Sequence, residues 1–228
     1  MMKYAKAFAL PAMILLAGCT YPNLQQQPRS ENFHAFLELE AGRKVPDFQI
    51  NDTSGALWRL SEHFGKLIVL QFASSTSPAF VASLNDFQRE VLSRYQADDA
   101  VLFVYVFSTE AHPELLSPAR RQELEQNDYK FRMDAARQYY YTLRFREGKR
   151  YDLSGMIPAA TNVVILVDDP ATSASALYGY GRGGTTNPTF LIDEDGVLLA
   201  KGMSASDFLA PTGYLAGNLP VLIQAEMK

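Results

Sequence analysis

One cysteine in 228 residues is the most restrictive feature of this chain. It is Cys19, so residues 20–228 carry no thiol and no internal disulfide can form. Charge of one sign is scarce too. The 21 lysines and arginines against 25 aspartates and glutamates leave a net charge of −4, which gives no reason to expect nucleic acid as a partner. Long hydrophobic runs are missing: the N-terminal apolar stretch, Ala7–Leu16, is too short to span a bilayer. There is no internal repeat, and neither a metal nor a cofactor is expected. The four glycines of Gly179–Gly184 lack the strand before and helix after that a phosphate loop needs. What is present is 47% hydrophobic and 20% charged residues, enough for one domain with a substantial core.

The N-terminus has the order of a secretory signal, with Lys3 and Lys6 ahead of the apolar run. Leu16-Ala17-Gly18-Cys19 resembles the bacterial lipoprotein cleavage box. That resemblance implies that residues 1–18 are removed and that Cys19 is lipidated and becomes the first mature residue. Several acyl chains on one cysteine give stable membrane anchoring. Thr20, rather than aspartate, follows the cysteine, which by analogy with those proteins leans toward the outer membrane, facing the periplasm. Residues 19–32, with Gln25-Gln26-Gln27 and Pro28, read as a polar tether. Residues 33–228 then form the domain.

The domain is organised around Leu67–Phe80, LIVLQFASSTSPAF. Leu67–Phe72 is the short apolar run of a strand covered on both faces. Small polar residues follow, and Pro78 opens a helical pattern at Phe80, Val81, Leu84, Phe87, Val91, Leu92 and Tyr95. Ser77-Pro78 is a helix start, serine as cap and proline at the first helical position. Residue 77 therefore lies where backbone donors and the helix dipole favour an anion. Val101–Phe107 is a second buried strand. A strand–helix–strand unit of this spacing demands a right-handed crossover and a parallel pair. The segments just past the two strand ends, Ser77 and Glu110/His112, then share one sheet edge.

The remaining chain supplies a short helix at Phe33–Ala41 and two strands in Val45–Leu60 around a turn at Asp52–Gly55. Ser61–Lys66 is a turn, with His63 a surface loop residue. An insertion of about residues 115–160 reads as helical over much of Ala119–Tyr151. Its arginines 120, 121, 132, 137, 144 and 146 allow either an amphipathic unit packed on the sheet or an anion-binding patch. Asn162–Val167 is a third buried strand, and Thr172–Tyr178 a short helix ending at Gly179. Thr189–Asp193 and Val197–Lys201 form a hairpin around Glu194-Asp195-Gly196, and Leu209–Gln224 closes the chain as a helix. The class is α/β, a central mixed sheet flanked by helices.

VLQFASSTSPAF, the following Phe87 and Tyr95, the buried strand and Glu110-Ala111-His112-Pro113 resemble the iodothyronine deiodinase family. There the pattern is close to VLNFGSCT, selenocysteine, PPF, and later EEAHP. The resemblance covers most of Val45–Lys201 and is densest at Leu67–Pro113. It implies a thioredoxin-like fold, with Ser77 at the place of the selenocysteine and Ser75 at that of the nearby cysteine. Ser77, Glu110 and His112 become the candidate catalytic residues. Ser74, Ser75, Thr76, Pro78 and Pro188 become candidates for contact with a ligand. Val45-Pro46-Asp47-Phe48 also resembles the entry segment of redoxin domains, and Pro188 the cis-proline that faces the reactive residue in thioredoxin folds. The insertion has no counterpart of the family's histidine, nor has the region of Pro188 one of its arginine, which argues against thyroid hormone as substrate.

A thiol or selenol at position 77 would be activated by the helix terminus. Serine changes the chemistry: a terminus is worth about 1 kcal/mol, far too little to ionise an alcohol near neutrality, and the oxygen has no reversible redox ladder. Three functions remain open. One is an anchored binding or scaffold module without thiol chemistry, taking a small aromatic or halogenated ligand or an envelope protein. Another is a dehalogenase-like oxidoreductase. The third is a hydrolase with Ser77 as nucleophile, His112 as base and Glu110 as its orienter.

Overall fold

Two almost wholly apolar strands, β3 (Leu67–Ala73) and β4 (Val101–Phe107), must be covered on both faces, and every residue in them is buried. They lie at the centre of the sheet in the computed structural model, which describes residues 31–95, 97–141, 144–146, 149–151, 162–169, 174–180, 187–203 and 219–227. The pair is parallel, in register from Leu67 opposite Val101 to Ala73 opposite Phe107. The crossover is α2 (Pro78–Phe87), a π turn at Gln88–Leu92 and α3 (Ser93–Tyr95).

β7 (Val163–Val167) extends the sheet in parallel beyond β4. β1 (Gln49–Asp52) and β2 (Leu57–Arg59) then turn antiparallel to form that edge. On the other side, β8 (Thr189–Ile192) and β9 (Leu198–Gly202) add an antiparallel hairpin. The order is β2-β1-β7-β4-β3-β8-β9. A β3–α2–β4 unit, the β8–β9 hairpin on its other flank and a closing helix α7 (Leu219–Glu226) make a thioredoxin-like fold.

Strand alternation sorts the core into two layers. Leu67, Val69 and Ala73 with Phe103, Tyr105 and Phe107 meet Phe80, Leu84 and Phe87 of α2 and Ile223 of α7. Ile68, Leu70 and Phe72 with Val104 and Val106 meet Phe36 of α1 (Glu31–Glu38), Phe48, Phe190 and Tyr178 of α6 (Ala174–Tyr178). Each buried phenylalanine adds about 1.5–3 kcal/mol of apolar burial.

The structure corrects four expectations. The helix after Pro78 is not regular throughout: its π turn carries Val91 and Leu92 together into the core. The insertion is helical through α4 (Pro118–Gln126) and α5 (Asp128–Tyr141), then forms a hairpin of β5 (Arg144–Arg146) and β6 (Lys149–Tyr151). The Arg-Phe-Arg alternation and the Glu147-Gly148 turn signal account for that change. His63 is half-buried in a 3₁₀ turn, Leu60–His63, its ring stacked on Trp58 at 4.5 Å. The Asn187–Pro188 peptide is trans. Residues 1–30, 152–161, 181–186 and 204–218, including Cys19, the tether up to residue 30 and the first part of the expected last helix, lie outside the described residues, while residues 31 and 32, expected in the tether, already belong to the helix Glu31–Glu38. Among the described residues no helix is long and apolar enough to cross a membrane.

Candidate functional site

In-register parallel strands end side by side, so the segments following β3 and β4 meet. Ser108 N–H donates to the Ala73 carbonyl (3.1 Å) and Asp168 N–H to that of Phe107 (2.8 Å), which keeps three strand ends in step. The meeting point is Glu110, a carboxylate only 1% exposed. Burying a charge demands charge-assisted hydrogen bonds, and the loop after β3 supplies four. Ser75 Oγ donates to Oε1 (2.7 Å), while Ser74 Oγ (2.8 Å), Thr76 N–H (2.8 Å) and Thr76 Oγ1 (2.7 Å) donate to Oε2. The hydroxyls also accept in return: Ala111 N–H donates to Ser74 Oγ (2.9 Å) and His112 N–H to Thr76 Oγ1 (3.0 Å). Each loop thus satisfies the other, and Glu110 is the template on which residues 74–76 are shaped.

Ser77 is wholly buried. Its Oγ accepts from Phe80 N–H at 3.3 Å, the helix-cap bond expected of Ser77-Pro78. His112 is half-exposed, and its Nδ1 lies 2.9 Å from Glu114 Oε1. Pro188 is buried at the same sheet end, where its carbonyl accepts from Phe72 N–H at 3.0 Å. The structure therefore brings Ser74, Ser75, Thr76, Ser77, Pro78, Glu110, His112 and Pro188 to one edge. It does not join Ser77, His112 and Glu110 by hydrogen bonds among the described residues.

Three buried residues lie behind the site without having been candidates for it: Tyr180, Asp168 and Arg132, the last expected only as part of the insertion's basic set. Tyr180 Oη donates to the Thr109 carbonyl at 2.7 Å. Burial pushes the Tyr180 phenol well up, against the Ser74 hydrogen bond, with the Glu110 charge adding to the rise. Arg132, 1% exposed, donates from Nη1 to the Asp168 carbonyl (2.7 Å) and pairs through Nε with Asp128 Oδ1 (3.2 Å). Asp168 caps α6 by accepting from Ala174 N–H (2.9 Å) and Ser175 N–H (3.0 Å), and it also binds the Ser175 hydroxyl. The Asp128/Arg132 pair at i,i+4 was the readable signal.

Besides Arg132, three arginines of the insertion are engaged within the fold. Arg121 donates to the Glu114 carbonyl (3.0 Å), Arg137 to that of Thr53 (2.9 Å), and Arg120 lies 4.4 Å over the Phe131 ring. With Phe131, Met133, Ala135 and Ala136 buried, α5 is an amphipathic helix packed on the sheet. Beside Glu110, a cleft of about 560 Å³ opens against α4 and the start of α5. Its walls include Glu110, Glu114, Arg121, Leu124, Glu125 and Asp128, so it is acidic overall.

Sheet order and site together define a thioredoxin-fold protein with a hydroxyl, not a thiol, at the helix N-terminus. No family model and no curated protein matches the sequence. Among solved structures it is similar to a Chlorobium tepidum protein named as a thiol:disulfide interchange protein DsbE, with 20% identity, 84% of this chain and 100% of that one covered, and a TM-score of 0.49. It is also similar to the exposed lipoprotein thioredoxin Etrx1 of Streptococcus pneumoniae strain TIGR4, at 20% identity over 79% and 99% of the two chains with a TM-score of 0.40. A thioredoxin domain of a Bacteroides vulgatus thiol-disulfide oxidoreductase is similar at 11% identity, 73% and 91% coverage and a TM-score of 0.41. At these identities the likeness carries no activity over to this chain.

Proposed function

We propose that this chain is a deiodinase-like module of the bacterial cell envelope, anchored to the outer membrane through Cys19, that binds rather than reduces. The observation that carries this reading is the state of residue 77: a serine, wholly buried, its hydroxyl used as a helix cap. Disulfide exchange within the chain needs two thiols, and Cys19 is the only one. The dehalogenase-like alternative needs a nucleophile that can be oxidised and reduced again at position 77, which an alcohol is not. The hydrolase alternative needs serine, imidazole and carboxylate in sequence. Here the imidazole pairs with Glu114, and the Glu110 carboxylate is taken up by residues 74–76.

A small aromatic or halogenated ligand would meet the site from the cleft beside Glu110, whose carboxylates disfavour an anionic one. An envelope protein is the other class of partner, and nucleic acid is not one. The test is equilibrium binding of a panel of iodinated and plain phenols to the mature chain and to Ser77→Ala. A fluorophosphonate probe for active serines is applied in parallel. Binding that survives Ser77→Ala, with no probe labelling, supports the module. Labelling of the mature chain that is lost in Ser77→Ala would establish the hydrolase instead.

A further inference from the structure

β3 contains one polar residue, Gln71, in the middle of an apolar run. It is 1% exposed, and among the described residues neither its amide nitrogen nor its amide oxygen has a hydrogen-bond partner. Directly across the antiparallel β3–β8 pair stands Thr189, fully buried, whose Oγ1 is likewise unpartnered among the described residues. Both point to the same face. Gln71 alternates with Val69 and Ala73, and Thr189 lies two residues from Leu191, all three of the layer that meets α2. Opposed residues on one face have Cβ atoms about 5 Å apart, so the two polar ends share one spot. Thr189 pairs on its other side with buried Gly202, which adds no side chain to the row, and Gln71 pairs on its other side with buried Tyr105 of β4.

A buried amide left unpaired costs more than an ordinary hydrogen bond contributes. Three such atoms on two directly opposed positions have a common remedy. We propose that the interior holds an ordered water between Gln71 and Thr189, one row beneath the strand end that leads into Ser74–Ser77. Its two hydrogens are donated to Gln71 Oε1 and Thr189 Oγ1, and its oxygen accepts from Gln71 Nε2. A water bound in a protein interior makes about three such bonds. The occupant must be small, neutral and able both to donate and to accept, because the surrounding layer of Ala73, Phe80, Leu84 and Leu191 would penalise a charge. The site does not depend on the chemistry of residue 77.

Two measurements test it. A high-resolution crystal structure of the mature chain should show one water within hydrogen-bond distance of both side chains. A protein group bonded to the Gln71 amide, or a spot without density, would overturn the proposal. In a double-mutant cycle, Gln71→Met and Thr189→Val should each lower the melting temperature, and the double variant should lose less than the sum. Single variants that raise the melting temperature, with additive effects, would mean a dry pair and would also overturn it. The crystal structure decides the matter if either variant fails to fold.

Discussion

Glu110 shows how a single residue can be consumed by the fold it organises. Its four donors make the burial of a charge tolerable, and in return it holds Ser74, Ser75 and Thr76 in place. Glu110→Ala would orphan those donors, and the expected loss is about 3 kcal/mol of unfolding free energy in urea titrations. A loss below about 1 kcal/mol would show that water replaces the carboxylate at no great cost. Ser77→Ala removes only a cap, with an expected loss of about 1 kcal/mol. The glutamate and the serines were legible as neighbours, since the strand–helix–strand pattern places them at one edge. Which of them bonds to which was not legible, because a loop's hydrogen bonds depend on backbone directions that periodicity does not encode.

At the scale of elements, the corner where β1 and β2 enter the sheet is set by Asp47. Its carboxylate accepts from Arg59 Nε (2.7 Å), Ser61 N–H (3.0 Å) and Ser61 Oγ (2.8 Å). Partial burial raises its pKa, but the bonds from Arg59 and Ser61 outweigh that and hold it below the ordinary value. The unfolded chain then takes up a proton first as pH falls, so this stabilisation is complete above about pH 4 and lost on descending through the folded value. The acid limb of melting temperature against pH should therefore be shallower in Asp47→Asn. Equal slopes would remove Asp47 from the account.

The same corner holds the chain's one tryptophan against His63. Burial lowers the His63 pKa, with Lys66 adding to the fall and Glu62 opposing it. Its neutral form thus favours the fold above about pH 6.5, an advantage lost as pH falls below that. Trp58 fluorescence should titrate with a midpoint below that of a free imidazole, and the transition should vanish in His63→Phe. Strand positions here were readable from sequence. The stacking was not, since a lone histidine in a turn carries no periodic signal.

Over the whole molecule, the two long buried strands, their parallel pairing and the closing hairpin were all legible, because apolar runs bounded by turn residues leave few topologies. The hairpin at the end of the insertion and the π turn were missed, being local departures from a period that dominates its neighbourhood. Cys19 is expected to carry the anchor: full-length protein should incorporate a clickable fatty acid in cells, and Cys19→Ser should not. Incorporation persisting in that variant would place the anchor elsewhere.

The central claim, that residue 77 has become part of the scaffold, is tested most directly by dithiol-dependent iodide release from iodinated phenols. The chain as it stands is compared with Ser77→Ala and Ser77→Cys. A scaffold serine at position 77 gives no release from the native chain or from Ser77→Ala, with any activity confined to Ser77→Cys. Release by the native chain that Ser77→Ala abolishes would contradict it.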